Sequence, residues 1–367
     1  MVAPRRLYVH VGLQKTGTSY LQAAMLASRQ ALTEQGVDLV PATKRASFEL
    51  MLQVRDRYHE GRDPETVLQA LERFEQALLD APGPAALLSQ ESLAAARRPQ
   101  IERLLAACGD REVHVVLTAR DLGRQVPSSW QQEVKAGRTV SYADYLEALQ
   151  ASQREGRGTH PWIHLDPPAV LARWARHVPP ERIHVVTVPP RGSSPTLLLE
   201  RFCSVLGLDP ASITPEEDPA NTSIGRVQAE VLRRVNLELP DDVRRRQVYG
   251  DVGKRWFAAR ILSAQQGPPI RLPATLRPWA ESVTDQQIAT LADAGYHVVG
   301  DLDDLRCAPD AFEETDSTPD GDAVSVAAVT ALAAIVTEQG RRPADQPTSF
   351  AEPDPRAPAS RWAFWRR

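Results

Sequence analysis

Lysine is scarce in this sequence. Of the 43 basic residues among 367, only Lys15, Lys44, Lys135 and Lys254 are lysines. With abundant Ala and Pro, that is the composition of a GC-rich genome. Cysteine is scarcer still. Cys108, Cys203 and Cys307 are odd in number and far apart, which argues against a disulfide framework or metal-ligand spacing and fits a reducing compartment. A strong charge excess is also missing, and a net charge of -4 marks the chain neither as a nucleic-acid binder nor as a membrane-surface binder. The longest apolar stretch, AVSVAAVTALAAIV at 323–336, falls short of the roughly 20 residues a bilayer span requires. The first apolar run is short and begins by residue 7, so no signal peptide is expected. A soluble, cytoplasmic protein with a sizeable core is the expectation.

Strand-like and amphipathic helical segments alternate along the chain. RLYVHVG (6–12) reads as a strand, residues 18–36 as a helix stopping at Gly36, and GVDLVP (36–41) as a second strand. Helical segments near 46–58 and 64–80 lead to ALLSQE (86–91), and a helix near 99–107 precedes EVHVVLTAR (112–120), the strongest strand. Helices at 122–136 and 170–178, the strand RIHVVTV (182–188) and a helix at 194–207 come next. Such alternation predicts an α/β fold of three layers, a central parallel sheet flanked by helices. Ligands in such sheets bind beyond the carboxyl ends of the strands.

Residues 224–305 read mostly as helix, closing on YHVVGDLDDL, so 1–305 is taken as the α/β domain. The acidic linker EETDSTPDGD, a short helix near 322–338 and a Pro-, Asp- and Ser-rich stretch at 340–360 make 306–367 a flexible C-terminal tail. Its last residues, RWAFWRR, read first as an unstructured end and second as a weak membrane or partner contact. There is no internal repeat, and oligomeric state is not legible.

The stretch HVGLQKTGTSYLQ (10–22) carries the chemistry. Gly12 and Gly17 have the spacing of a nucleotide-hydrolase loop, but Thr18 stands where its lysine belongs, with Ser19 next to it, and the only lysine is Lys15. A strand, a glycine turn and a helix N-terminus gather backbone N–H groups into a phosphate-sized concavity favoured by the helix dipole. Lys15, two residues before the second glycine, is placed to approach the bound group from the loop side and to neutralise charge on a phosphate that is itself leaving.

K-T-G-T-S-Y closely resembles the 5′-phosphosulfate loop of sulfotransferases, P-K-[ST]-G-[ST]-T-[WS]-L, with Gln14 for the usual Pro and Tyr20 where Trp is common. The resemblance, to a bacterial, actinobacterial-like member, implies a P-loop-like fold and 3′-phosphoadenosine-5′-phosphosulfate (PAPS) as sulfuryl donor, with no metal required. It implies that Lys15 contacts the bridging oxygen and that Thr16, Gly17, Thr18, Ser19 and Tyr20 line the cofactor site. In that family a strand-end Arg and a Ser eight residues on bind the 3′-phosphate. Arg120 and Ser128 match, with Ser129 as the neighbouring alternative.

Transfer to a hydroxyl needs a base. Glu91 ends a strand, where the sheet should bring it near the loop, and similar sequences carry a catalytic Glu in a comparable place. The alternative is that Glu91 caps the adjoining helix. Cytosolic sulfotransferases use a histidine, for which His160 and His164 are the candidates. The family's R-K-G-x-x-G-D-W-K clamp is absent, and Lys254 and Arg255 in GDVGKRW are not assigned its role. The acceptor, unnamed by any motif, is a small molecule, carbohydrate or glycolipid. A P-loop kinase or NTPase and a non-catalytic module of the same fold are the alternatives.

Overall fold

The computed structural model of the chain describes residues 4–156, 160–215, 223–244, 246–314 and 318–341. Its centre is a six-stranded sheet made of β1 (Arg6–His10), β2 (Val37–Leu39), β3 (Ala85–Ser89), β4 (Glu112–Ala119), β5 (Ile183–Thr187) and β7 (His297–Val299). They lie in the order β2-β3-β1-β4-β5-β7, and every pairing is parallel. A second, two-stranded pairing joins β6 (Leu272–Pro273) to β8 (Phe312–Glu313). The expected α/β architecture is therefore present, and β7, hidden within the YHVVGDLDDL segment, is its sixth strand.

Both faces of the sheet are covered, because its strands alternate apolar side chains to two cores. Leu7 and Val9 face one cluster with Leu88, Leu117, Phe74 and Trp174, whereas Tyr8 faces another with Leu21, Val116 and Phe202. A third cluster lies outside the sheet and gathers Trp130, Tyr142, Trp162, Ala229 and Leu262. Ala311, Phe312, Val324, Ala327 and Ala331 join it, so the chain after 305 packs on from the α/β region among the described residues. The stretch at 323–336 lies within a helix, Gly321–Gly340, which by length and composition is long and apolar enough to cross a bilayer. The RWAFWRR end lies outside the described residues.

The segment read as one helix over 18–36 is two helices, Thr18–Ala27 and Arg29–Glu34, interrupted at Ser28. A further helix, Tyr142–Glu155, is capped by the Ser141 hydroxyl accepting from Asp144 N–H. The strand order puts β3 and β4 on either side of β1. Their register aligns His10 with Ser89 and Val116, so the segments leaving these strands emerge together at one edge of the sheet.

Candidate active site

Beyond β1 the loop keeps its pairing with β4. Val11 N–H donates to Val116 O at 2.9 Å and Leu13 N–H to Thr118 O at 2.9 Å. Gly12 sits at φ 104°, and a Cβ there would stand 3.0 Å from Glu91 Cβ. Gly17 at φ 86° opens the Thr18–Ala27 helix, and a Cβ on it would run into Leu198. Only glycine satisfies both the backbone and the space at these positions. Lys15 also has a left-handed φ, 65°, a strained conformation for a residue with a side chain.

Thr16 secures this loop from beneath. Its hydroxyl donates to Leu13 O at 2.5 Å and lies 2.6 Å from Thr118 Oγ1. His10 extends the network, with Nδ1 2.8 Å from Ser89 Oγ and Nε2 3.3 Å from Thr118 Oγ1. Burial lowers its imidazole pKa to about 3, so it is neutral. The Thr16 side chain is thus a staple between the loop after β1 and strand β4. The helix opened by Gly17 has no side-chain cap and no acidic residue in its first turn, so its positive end is free for an anion. Ser19 is half-buried at that end, whereas Thr18 is buried and Tyr20 packs on the core containing Leu21 and Phe202.

Glu91 lies just beyond the end of β3. Its carboxylate accepts from Gln22 Nε2 at 2.8 Å, across to the first turns of the loop helix. The short turn Glu91–Ala95 is capped by Gln90, whose Oε1 accepts from Ser92 N–H at 3.2 Å. Capping therefore falls to the neighbour, and the Glu91 carboxylate faces the loop. Lys15 is pulled down to about 8, first by burial, then by Lys254 and Arg120, with Glu91 opposing. The two expected catalytic side chains thus lie within each other's field.

On the β4 side, Arg120 Nη1 donates to Lys15 O at 2.9 Å, fixing the loop's backbone. Its Nε is buried without a hydrogen-bond partner among the described residues, and burial, together with nearby Arg124, pulls its pKa to about 10. Arg124 itself is committed to Asp121 and to Pro189 O at 3.0 Å. Ser128 Oγ donates to Arg124 O at 2.8 Å, and the Ser129 hydroxyl bonds Tyr145. Both serines are half-buried, and each already has a partner.

The histidines divide. His160 is exposed, with Nε2 3.1 Å from Glu133 Oε1. His164 belongs to a short turn that packs against Glu91–Ala95. Gln125 Nε2 ties this turn to the loop, donating to His164 O at 3.0 Å and Gln14 O at 2.8 Å. Burial lowers the His164 pKa to about 4, leaving a weak base, and its Nδ1 finds no partner among the described residues. No group of three or more His, Cys, Asp or Glu that could hold a metal occurs among the described residues.

Sequence reasoning left Lys254 without an assigned role and did not single out Lys135. Lys135, 5% exposed at the end of the Leu122–Lys135 helix, and Lys254 both act on Lys15 or on each other. For Lys135 the available signal was the scarcity of lysine, since Lys44 is the one other lysine besides these three.

No protein-family model and no curated protein matches the chain. Among solved structures, a sulfotransferase from Alicyclobacillus acidocaldarius is similar at 16% identity, covering 71% of this chain and 100% of that one with a TM-score of 0.38. At that level the likeness adds nothing to what the site's own geometry supports.

Proposed function

We propose that the protein is a PAPS-dependent sulfotransferase acting on a hydroxyl group. The observation that carries this reading is the meeting of Glu91 with the Lys15 loop, at the carboxyl ends of adjacent strands β3 and β1. The site suits the donor on its own chemistry. Uncapped N–H groups after Gly17 suit the 5′-phosphate, and the unpartnered Nε of Arg120 suits a further phosphate beside it. PAPS, when bound, supplies an activated sulfuryl group on a phosphate leaving group.

The chain's residues then divide the work. The acceptor oxygen forms a bond to sulfur while the bond from sulfur to the bridging oxygen breaks. Glu91 takes the hydroxyl proton, and Gln22 holds its carboxylate in place through one oxygen. Lys15 stabilises the negative charge that grows on the bridging oxygen. The products are a sulfate ester and 3′-phosphoadenosine 5′-phosphate (PAP). A kinase or NTPase reading lacks the glycine-adjacent lysine, which is Thr18 here.

Ligand binding tests the reading directly. PAP should bind more tightly than ATP and should not need magnesium. Magnesium-dependent preference for ATP would replace sulfuryl transfer with phosphoryl transfer, and binding of neither would leave a non-catalytic fold.

A further inference from the structure

The helix Gly321–Gly340 is apolar on both of its sides, yet only one of them is covered. At about 3.6 residues per turn, Val324, Ala327 and Ala331 share one side, buried in the cluster that holds Ala229 and Leu262. Val326, Val329, Leu332 and Val336 fall on the opposite side, each between 60% and 70% exposed. No charged residue occurs between Asp322 and Glu338. The hydroxyls of this stretch turn back onto the helix itself. Ser325 Oγ donates to Gly321 O at 2.9 Å, Thr330 Oγ1 to Val326 O at 2.9 Å and Thr337 Oγ1 to Ala333 O at 2.8 Å. The exposed side can therefore leave water without orphaning a side-chain donor.

An uncharged apolar stripe of this kind marks a contact surface. The helix is fastened to the domain along its length, so it lies on the protein and does not thread a bilayer. Gln265 Nε2 donates to Ala327 O at 3.1 Å, Trp256 Nε1 donates to Glu338 Oε1 at 3.1 Å, and Arg260 Nε lies 3.3 Å from Glu338 Oε2. A second copy is a poor match for the stripe. A helix of 20 residues is about 30 Å long, and a stripe about 10 Å wide offers about 300 Å², against roughly 800 Å² per partner in a stable interface. A lipid surface sets no such requirement, because a helix lying in its plane sinks its apolar side about 5–10 Å among the headgroups.

A second signal names the charge of that surface. RWAFWRR (361–367) carries Arg361, Arg366 and Arg367 with Trp362, Phe364 and Trp365, and no acidic residue. Tryptophan suits the headgroup level, and clustered arginine suits anionic lipid. Residues 342–360 allow a reach of at most about 65 Å, so the heptad can meet the same bilayer as the helix. One weak anchor binds marginally, and two together attach stably. We propose that the outer side of the Gly321–Gly340 helix and the 361–367 heptad dock the protein on an anionic membrane surface. This docking does not rest on the sulfotransferase reading.

Co-sedimentation of the full chain with vesicles tests it, using phosphatidylcholine alone and phosphatidylcholine mixed with phosphatidylserine. Wild type should bind the mixed vesicles, lose much of that binding in high salt, and bind phosphatidylcholine alone far more weakly. Val329→Glu/Leu332→Glu should bind the mixed vesicles about tenfold or more weakly, because two new negative charges meet an anionic surface. Its melting temperature should match wild type, since both side chains are exposed. Arg366→Gln/Arg367→Gln should lose a similar factor through the other anchor. Should the glutamate pair unfold the protein, Leu332→Ser, which adds no charge, carries the same test with a smaller loss. No binding of wild type to mixed vesicles, or equal binding by the helix variants, overturns the docking. Equal binding to both kinds of vesicle overturns the role of the heptad. A wild-type dimer in the absence of lipid that Val329→Glu/Leu332→Glu converts to monomer gives the stripe to a second copy, and the proposal fails.

Discussion

Gly12 lies directly against Glu91: a Cβ on the glycine would stand 3.0 Å from both the Cβ and the carbonyl oxygen of the glutamate. The loop from β1 and the carboxylate from β3 are thereby held in contact by the absence of one carbon. Gly12→Ala should destabilise the fold by about 1–3 kcal/mol, from the unfavourable φ and the forced displacement of Glu91. Turnover in the folded fraction should drop as well. Denaturant unfolding together with activity per folded molecule measures both, and a variant with normal stability and rate would deny the contact its role.

Lys15→Ala should depress kcat by about 10²–10³, the scale of one lost electrostatic stabiliser. Interactions made mainly in the transition state show in kcat more than in KM. A change confined to the KM for PAPS would make Lys15 a ground-state anchor.

Glu91→Gln should bind PAP normally and turn over about 10²–10⁴ more slowly, the usual range for a general base. Its stability should change little, since Gln90 supplies the cap of the adjoining turn. His164→Ala and His160→Ala are the companion measurements. If activity vanishes with His164→Ala and survives in Glu91→Gln, the base is the imidazole.

Arg120→Ala should weaken PAP by about 1.5–3 kcal/mol, the worth of a hydrogen bond to a charged group. Adenosine 5′-phosphate should lose much less. Because Arg120 also holds Lys15 O, a small common loss is expected for both ligands. The difference between them is the readout, and equal losses would remove Arg120 from the 3′ position.

Acid should destabilise the protein through its buried histidines. His184 bridges two others, with Nε2 3.0 Å from His114 Nδ1 and Nδ1 2.9 Å from His297 Nδ1, on three adjacent strands. Glu112, Arg6 and Arg182 face the same end of this row. Burial, then His114 and His297, lowers the His184 pKa from 6.5 to about 4, and burial lowers His164 from 6.5 to about 4. Each folded-state pKa lies below its unfolded value, so the unfolded chain takes up protons first as pH falls. Stability from these groups should be complete above pH 6.5 and lost progressively down to about pH 4. Denaturant midpoints across that window test this, and His184→Gln should flatten part of the slope.

The sequence alone determined the things that depend on neighbours along the chain. Strand periodicity marked β1, β3, β4 and β5, the glycine spacing marked the loop, and strand-end positions singled out Glu91 and Arg120. Each is a short-range pattern, readable because a strand repeats every two residues and a parallel sheet gathers its carboxyl ends at one edge. Tertiary structure decided what meets across the chain. Whether Glu91 or Gln90 caps the turn depends on Gln22, 69 residues away, offering the glutamate another partner. Thr16 turns its hydroxyl inward because Thr118 on the adjoining strand is 2.6 Å away. Gln125 joins the loop to the turn holding His164, donating to Gln14 O and His164 O, 111 and 39 residues away. No local pattern encodes such meetings, since they arise from strand order and helix packing over more than a hundred residues.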